Sequence, residues 1–245
     1  MPSTSTSIRR LGCILCTILL LIGISGCAST GKPKASSKAS PTYEPSSYSP
    51  QDSAKLGSSL LNIIDQTLKE ENPSDSQRMI LERAKQHNGK VSVSDYESAW
   101  SDYKSCMLDR GYKEIKLIRF PHGGYMEAPY EQGTAAQDSQ YNDDRQECEK
   151  STVTSVNEVY MLQTANPNLY SNQAEAVVDC LHREGLVPKT YTAKDFNEEE
   201  VKAQNSEDGK GWSFDATGNP KAQECTASNG YIISDARTEP VEHLW

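Results

Sequence analysis

Apolar residues are scarce and are concentrated in one place. Hydrophobic residues fill 36% of the 245 positions, and Phe occurs three times. Mean hydropathy is -0.68. The one strongly apolar run is residues 11–24 (LGCILCTILLLIGI), at the N-terminus. A polytopic membrane protein is therefore excluded. Positive charge is also in deficit, with 25 Lys+Arg against 34 Asp+Glu, a formal charge of -9. With pI near 5.0, the chain is a poor nucleic-acid binder, because phosphate contacts need a concentrated basic face. Several catalytic signatures are missing too. There is no GxSxG, no HExxH, no Walker or dinucleotide glycine pattern, and no SxxK with its supporting motifs.

What is present begins with an export signal. Arg9 and Arg10 precede the apolar run, which is shorter than the ~20 residues that span a bilayer comfortably. Ile24-Ser25-Gly26-Cys27 follows it. This resembles the bacterial lipoprotein lipobox, in which an aliphatic residue and two small residues precede a Cys. The resemblance implies that residues 1–26 are removed and that Cys27 is acylated by diacylglycerol and becomes the first mature residue. It also implies a cell-membrane location, lipid-anchored and facing the extracytoplasmic side. Gly12 and Cys13 follow Leu11 where a twin-arginine signal needs bulky apolar residues, so ordinary secretion is expected. Cys13 and Cys16 lie inside the apolar run and are lost with it. Cleavage leaves 23 Lys+Arg against 34 Asp+Glu over 219 residues, a charge of -11. Anionic headgroups repel such a chain, so the lipid must do the anchoring.

The acylated Cys and a Ser-, Pro- and Lys-rich spacer occupy residues 27–55. The spacer has almost nothing to bury, so it is expected to be disordered. As a coil its 28 residues reach about 30 Å. The folded part then begins. Leu56, Leu60, Ile63, Ile64 and Leu68 stand at helical spacing. Asn72-Pro73 reads as the N-cap and first position of a second helix, closed by Asn88-Gly89 near residue 87. Residues 56–90 form an αα-hairpin on this reading. Ser94 to Glu97 reads as a capping box for a third helix. Residues 112–120 and 125–130 read as two strands around Pro121-His122-Gly123-Gly124. Further helices are expected over 134–165, 173–184, 192–205 and 221–227, with a loop over 208–220.

The cysteines expose a repeat. Beyond Cys27 they are Cys106, Cys148, Cys180 and Cys225, and no CxxC occurs among them. Residues 106–112 (CMLDRGY) align with 180–186 (CLHREGL), and Gln146-Glu147-Cys148 aligns with Gln223-Glu224-Cys225. This is a duplicated unit of roughly 75 residues. In each unit a helix carries one Cys and is closed by a Gly, and a later helix carries the second Cys. An even count in an exported chain favours disulfides, so the expected pairs are Cys106–Cys148 and Cys180–Cys225. Module 1 is then 91–165 and module 2 is 166–245. The Cys-Met-x-x-x-Gly-Tyr run resembles one in small, uncharacterised envelope lipoproteins of actinobacteria. That resemblance implies a Gram-positive envelope and no activity.

Other candidate groups are weaker. His87 precedes a helix stop and suits a capping role. His122 lies in a turn and is expected to be solvated, His182 and Glu184 point apart at spacing i, i+2, and His243 lies near the chain end. Asp143-Asp144, Glu147-Glu149 and Glu198-Glu199-Glu200 read as solvated helix faces. Residues 208–215 (DGKGWSFD) lack the ligand spacing of a calcium loop. No metal and no cofactor is expected. Twelve Tyr against three Phe is unusual. Tyr125, Tyr130 and Trp212 fall in turn or loop regions, where aromatics suit sugars or partner proteins, although core anchors with the polar tip in water are the more ordinary reading.

The sequence therefore predicts a mainly α chain with short β-hairpin elements (α+β), in two related disulfide-stapled modules. The expected role is non-catalytic, structural or interactive, at the cell surface. Its partners would be the membrane, through Cys27, and an envelope protein or wall glycan. The alternative is a binding lipoprotein that holds a small molecule or wall glycan between its modules, in a cleft lined by Tyr125 and Trp212. A wall hydrolase, with two carboxylates across a groove, is the third reading.

Overall fold

A computed structural model describes residues 54–206, 210–233 and 241–244. The signal segment, Cys27 and nearly all of the spacer lie outside the described residues. Among the described residues, eight helices and one two-stranded hairpin run in the order α1 (Leu60–Glu70), α2 (Asp75–Gln86), α3 (Val93–Asp109), β1 (Leu117–Arg119), β2 (Tyr125–Glu127), α4 (Ala135–Thr152), α5 (Thr154–Ala165), α6 (Gln173–Arg183), α7 (Ala193–Gln204) and α8 (Pro220–Ala227). The mainly helical, disulfide-stapled fold class is the one the sequence predicts. Among the described residues, no helix is long and apolar enough to cross a membrane.

Local capping sets the helix boundaries, and two caps differ from expectation. Asn72 does not open α2. It adopts φ +49° and stops α1, one residue past the cap Glu71. Ser74 is the N-cap of α2 and accepts from the Gln77 N–H. Likewise Ser92, not Ser94, caps α3 by accepting from the Asp95 N–H at 3.1 Å. The strands are also shorter than expected, three residues each, with Leu117 opposite Glu127 and Arg119 opposite Tyr125. Residues 134–165 form two helices because the chain kinks at Val153, at φ -134°.

Two cores follow the repeat. The first holds Tyr96, Tyr103, Met107, Tyr141 and Val156, drawn from α3, α4 and α5, and α1 and α2 pack beside it. The second holds Val177, Leu181, Phe196 and Ala222, from α6, α7 and α8. Cys106–Cys148 joins α3 to α4 with Cα atoms 5.7 Å apart, and Cys180–Cys225 joins α6 to α8 at 5.5 Å. Each bond closes a loop worth about 4 kcal/mol on the chain-entropy model. All described residues belong to one compact unit. The end of the chain crosses between the cores. Glu242 accepts from the Glu131 N–H and donates to Pro129, both at the base of the hairpin. Leu244 is buried in the first core.

The α3 and α6 ends are built alike. After α3, the Gly111 N–H bonds to Leu108 and the Tyr112 N–H to Met107. After α6, the Gly185 N–H bonds to His182 and the Leu186 N–H to Leu181. Both are Schellman closures, with Gly at φ +99° and +69°.

Candidate functional site

A cleft of about 830 Å³ opens among the described residues, on the flank of the first core. Its walls come from α1, Trp100 of α3, the β2 strand and the residues after it, α4 and α5. Ala227, Ser228 and Ile232 close one side from module 2.

An aromatic column holds one wall. Tyr96 stacks on Tyr160 with centroids 3.8 Å apart and on Tyr125 at 5.7 Å. Its hydroxyl donates to Asn157 Oδ1 at 2.7 Å and accepts from the Tyr125 N–H at 3.0 Å. The column thus ties α3, β2 and α5 together, and leaves Tyr125 half-buried against the cleft. Trp100 meets Tyr125 edge-on at 6.2 Å, and Tyr130 tilts over Tyr141 at 4.5 Å.

Polar groups converge at the α4 side. Glu127 accepts from the Tyr103 hydroxyl at 2.7 Å and from the Tyr141 hydroxyl at 2.6 Å. Burial, followed by the adjacent Glu127 charge, pushes both phenols well above their ordinary range, so they act as donors. Arg145 lies 3.6 Å from Glu127 and 3.7 Å from Glu149. Desolvation raises the Glu149 carboxyl, Arg145 opposes the shift, and Glu127 adds to it. Among the described residues, Arg145 Nε and Trp100 Nε1 are buried donors with no hydrogen-bond acceptor.

The α1 and α5 side is acidic. Glu70, Glu71 and Glu158 line it, and no ion pair engages any of them among the described residues. Glu71 accepts from the Ser155 hydroxyl at 3.2 Å. Glu158 remains open to water at the cleft mouth. Partial desolvation by the concave wall raises its carboxyl, and Glu71 adds repulsion.

The sequence candidates are placed as follows. Tyr125 and Tyr130 line the cleft, but Trp212 does not. It packs against Phe196 at 5.2 Å and Phe214 at 5.4 Å in the second core. The cleft expected between Tyr125 and Trp212 is therefore built from other residues on the module 2 side. Three acidic residues are not solvated helix-face charges. Asp144 is 9% exposed and holds Arg110, Tyr112 and Gln140. Glu149 is in the cleft wall, and Glu199 accepts from the Tyr191 hydroxyl at 2.7 Å.

His122 lies exposed in a turn, as expected, and is also engaged by a partner. Its Nδ1 is 2.7 Å from Glu224 Oε2, and its backbone N–H donates to the same carboxylate at 3.0 Å. His87 ends α2, and its N–H donates to Ala84. His182 Nε2 is 3.1 Å from the Pro188 carbonyl, and His243 Nδ1 is 2.7 Å from Glu131. Asp215 accepts from the Gly218 N–H at 2.8 Å and so closes a turn. Among the described residues, no group of three His, Cys, Asp or Glu is placed to hold a metal.

Sequence reasoning missed Trp100, Glu127, Arg145 and Glu158 as cleft residues. Trp100 was legible as part of the buried stripe of α3. Glu127 and Glu158 meet partners from other elements, and the Arg145–Glu149 pair at i, i+4 reads as an ordinary exposed helix pair, so none of the three signals a cleft. No known family, characterised protein or solved structure matches the chain.

Proposed function

We propose that this protein is a lipid-anchored envelope lipoprotein whose folded part binds a ligand in the cleft between its two modules. The lipid on Cys27 holds it to the outer face of the cell membrane, and the spacer carries the folded part away from the surface. The observation that supports binding over a purely structural role is the cleft itself. At about 830 Å³, with an aromatic wall and a few placed polar groups, it has the size and lining of a small-molecule site. A structural module needs no such concavity. Binding is favoured over hydrolysis because Glu127, the most enclosed carboxylate of the wall, is held by two phenol donors and an Arg. That leaves it a positioning group, not a free acid or base.

A photoreactive residue tests this in intact cells. Placed at Met126 in the cleft, it should yield a discrete low-mass adduct on the intact protein. The same residue at exposed Lys189, away from the cleft, should not. Equal labelling at both positions, or none at Met126, would rule out cleft binding.

A further inference from the structure

The charges of the cleft are unevenly matched. Among the described residues five carboxylates line it (Glu70, Glu71, Glu127, Glu149 and Glu158) against one cation, Arg145. Arg145 already lies within 4 Å of Glu127 and Glu149. Glu127 is further satisfied by Tyr103 and Tyr141. The remaining three carboxylates stand together at the α1–α5 mouth with no basic partner among the described residues. Placing like charges on one concave wall costs free energy that a bound cation would recover.

The rest of the lining suits an apolar body. Tyr125 and Tyr130 are half-buried and present ring surface to the cleft. Leu56, 44% exposed, and Ile232, 73% exposed, are on its rim. Together with the two rings they give the cleft apolar surface on which an uncharged body can lie. Aromatic faces beside carboxylates are the usual recognition chemistry for organic cations. The two orphan donors, Trp100 Nε1 and Arg145 Nε, are closed to solvent, so they do not offer themselves to a ligand's acceptor.

We infer that the cleft takes a small organic cation with an apolar body, an amine or quaternary onium compound, its charge at Glu71 and Glu158 and its apolar part against Tyr125 and Tyr130. This rests on the cleft being the binding site.

The test uses the full-length chain in zwitterionic lipid nanodiscs, with empty discs as the blank. The probes are tetraphenylphosphonium, its near-isosteric anion tetraphenylborate, and neutral triphenylphosphine oxide, titrated by calorimetry. The cation should bind about tenfold or more tightly than either other probe, a difference of roughly 1.4 kcal/mol. Glu71→Gln with Glu158→Gln should remove most of that preference and leave the neutral probe unchanged. Glu158→Gln alone should remove part of it, and Glu198→Gln, on the exposed face of α7, none. Equal binding of all three probes, blocked by Ser228→Trp in the cleft wall, would overturn the cation inference while leaving cleft binding intact. Cation binding unaffected by the Gln variants, or no binding of any probe, would also overturn it. In those cases the Met126 adduct experiment decides the cleft on its own.

Discussion

His122 Nδ1 lies 2.7 Å from Glu224 Oε2 across 102 positions of sequence. The His belongs to the module 1 hairpin turn, and the Glu, 2% exposed, belongs to α8 of module 2. The repeat explains why that carboxylate is available. In module 1 the residue preceding the second Cys, Glu147, pairs with the α3 cap Arg110 at 2.9 Å. In module 2 the equivalent cap is Glu184, which cannot pair with Glu224. His122 from the other module stands between the two acids, with Nε2 3.4 Å from Glu184 and Nδ1 on Glu224, so a contact that is internal in the first repeat runs between repeats in the second.

Replacing Glu224 should therefore loosen the module junction. Glu224→Gln keeps an acceptor for the His122 N–H but loses the charge. It should lower the unfolding free energy by about 1–2 kcal/mol, read from urea midpoints. A double-mutant cycle with His122→Ala should give a coupling of at least about 0.5 kcal/mol. Strict additivity would show that the contact does not join the modules.

The same alignment predicts a tolerated charge reversal. Arg110 pairs with Asp144 at 2.5 Å, and at the equivalent positions Glu184 pairs with Lys221 at 2.8 Å, opposite in sign. The Lys221 ammonium holds the Glu184 carboxyl below its usual range. Lys221→Asp alone places two acids together and should cost about 1 kcal/mol, since Lys221 is half-exposed and screened. Adding Glu184→Arg recreates the module 1 arrangement and should recover most of that loss. A double variant less stable than the single would refute the equivalence of the two sites.

Gly111 and Gly185 offer a matched pair. Each stands at positive φ, and open space surrounds the position of an added Cβ. The cost of Ala there is conformational and not steric, about 1–2 kcal/mol at either position. Substituting d-alanine by semisynthesis should cost nothing or stabilise slightly. A large loss with d-alanine would mean that the space is not open in solution.

These examples show which features a sequence carries openly. The Cys pairing and both Gly closures were legible because the repeat supplies two copies of one local solution. Helix starts were less so. Asn72 and Ser74 are both good caps, and the choice turned on α1 needing a left-handed stop, which Asn72 supplies. His122 and the cleft were not legible. Glu127 meets Tyr141 14 positions on and His122 meets Glu224 102 positions on, and neither a His in a turn nor a Glu in a short strand shows such a partner in its own local sequence. Trp212 follows the core-anchor reading and not the cleft reading: a Gly-rich loop folds back over Phe196 and half-buries it.

Anchoring has its own outcome to check. Cys27→Ser should abolish acylation, and the protein should move from the membrane fraction to the medium or the soluble extract. Retention at the membrane without acyl mass would show that the apolar run itself is the anchor.

Two buried carboxyls should shape stability against pH in opposite directions. Gln140, with Arg110 and Tyr112, holds Asp144 below the ordinary carboxyl range against the effect of burial. The native state then binds that proton more weakly than the unfolded chain does. Its stabilisation is present above pH about 4 and lost as the pH falls through the native value. Glu242 is the reverse. It is 1% exposed, and one oxygen takes the Lys116 N–H while the other has no partner. Burial first, with Glu127 and Glu114 adding repulsion, raises it to about 7. The native state binds this proton more tightly, so the stabilisation is full below the unfolded value and is lost as the pH rises through about 7. Between pH 5 and 8 the protein should lose about 2–3 kcal/mol from this group. Glu242→Gln should remove that loss and flatten the alkaline limb of urea midpoint against pH. Asp144→Asn should flatten the acid limb and leave the alkaline one alone. If Glu242→Gln keeps the wild-type slope between pH 5 and 8, the C-terminal segment is not docked on the hairpin with its carboxyl enclosed.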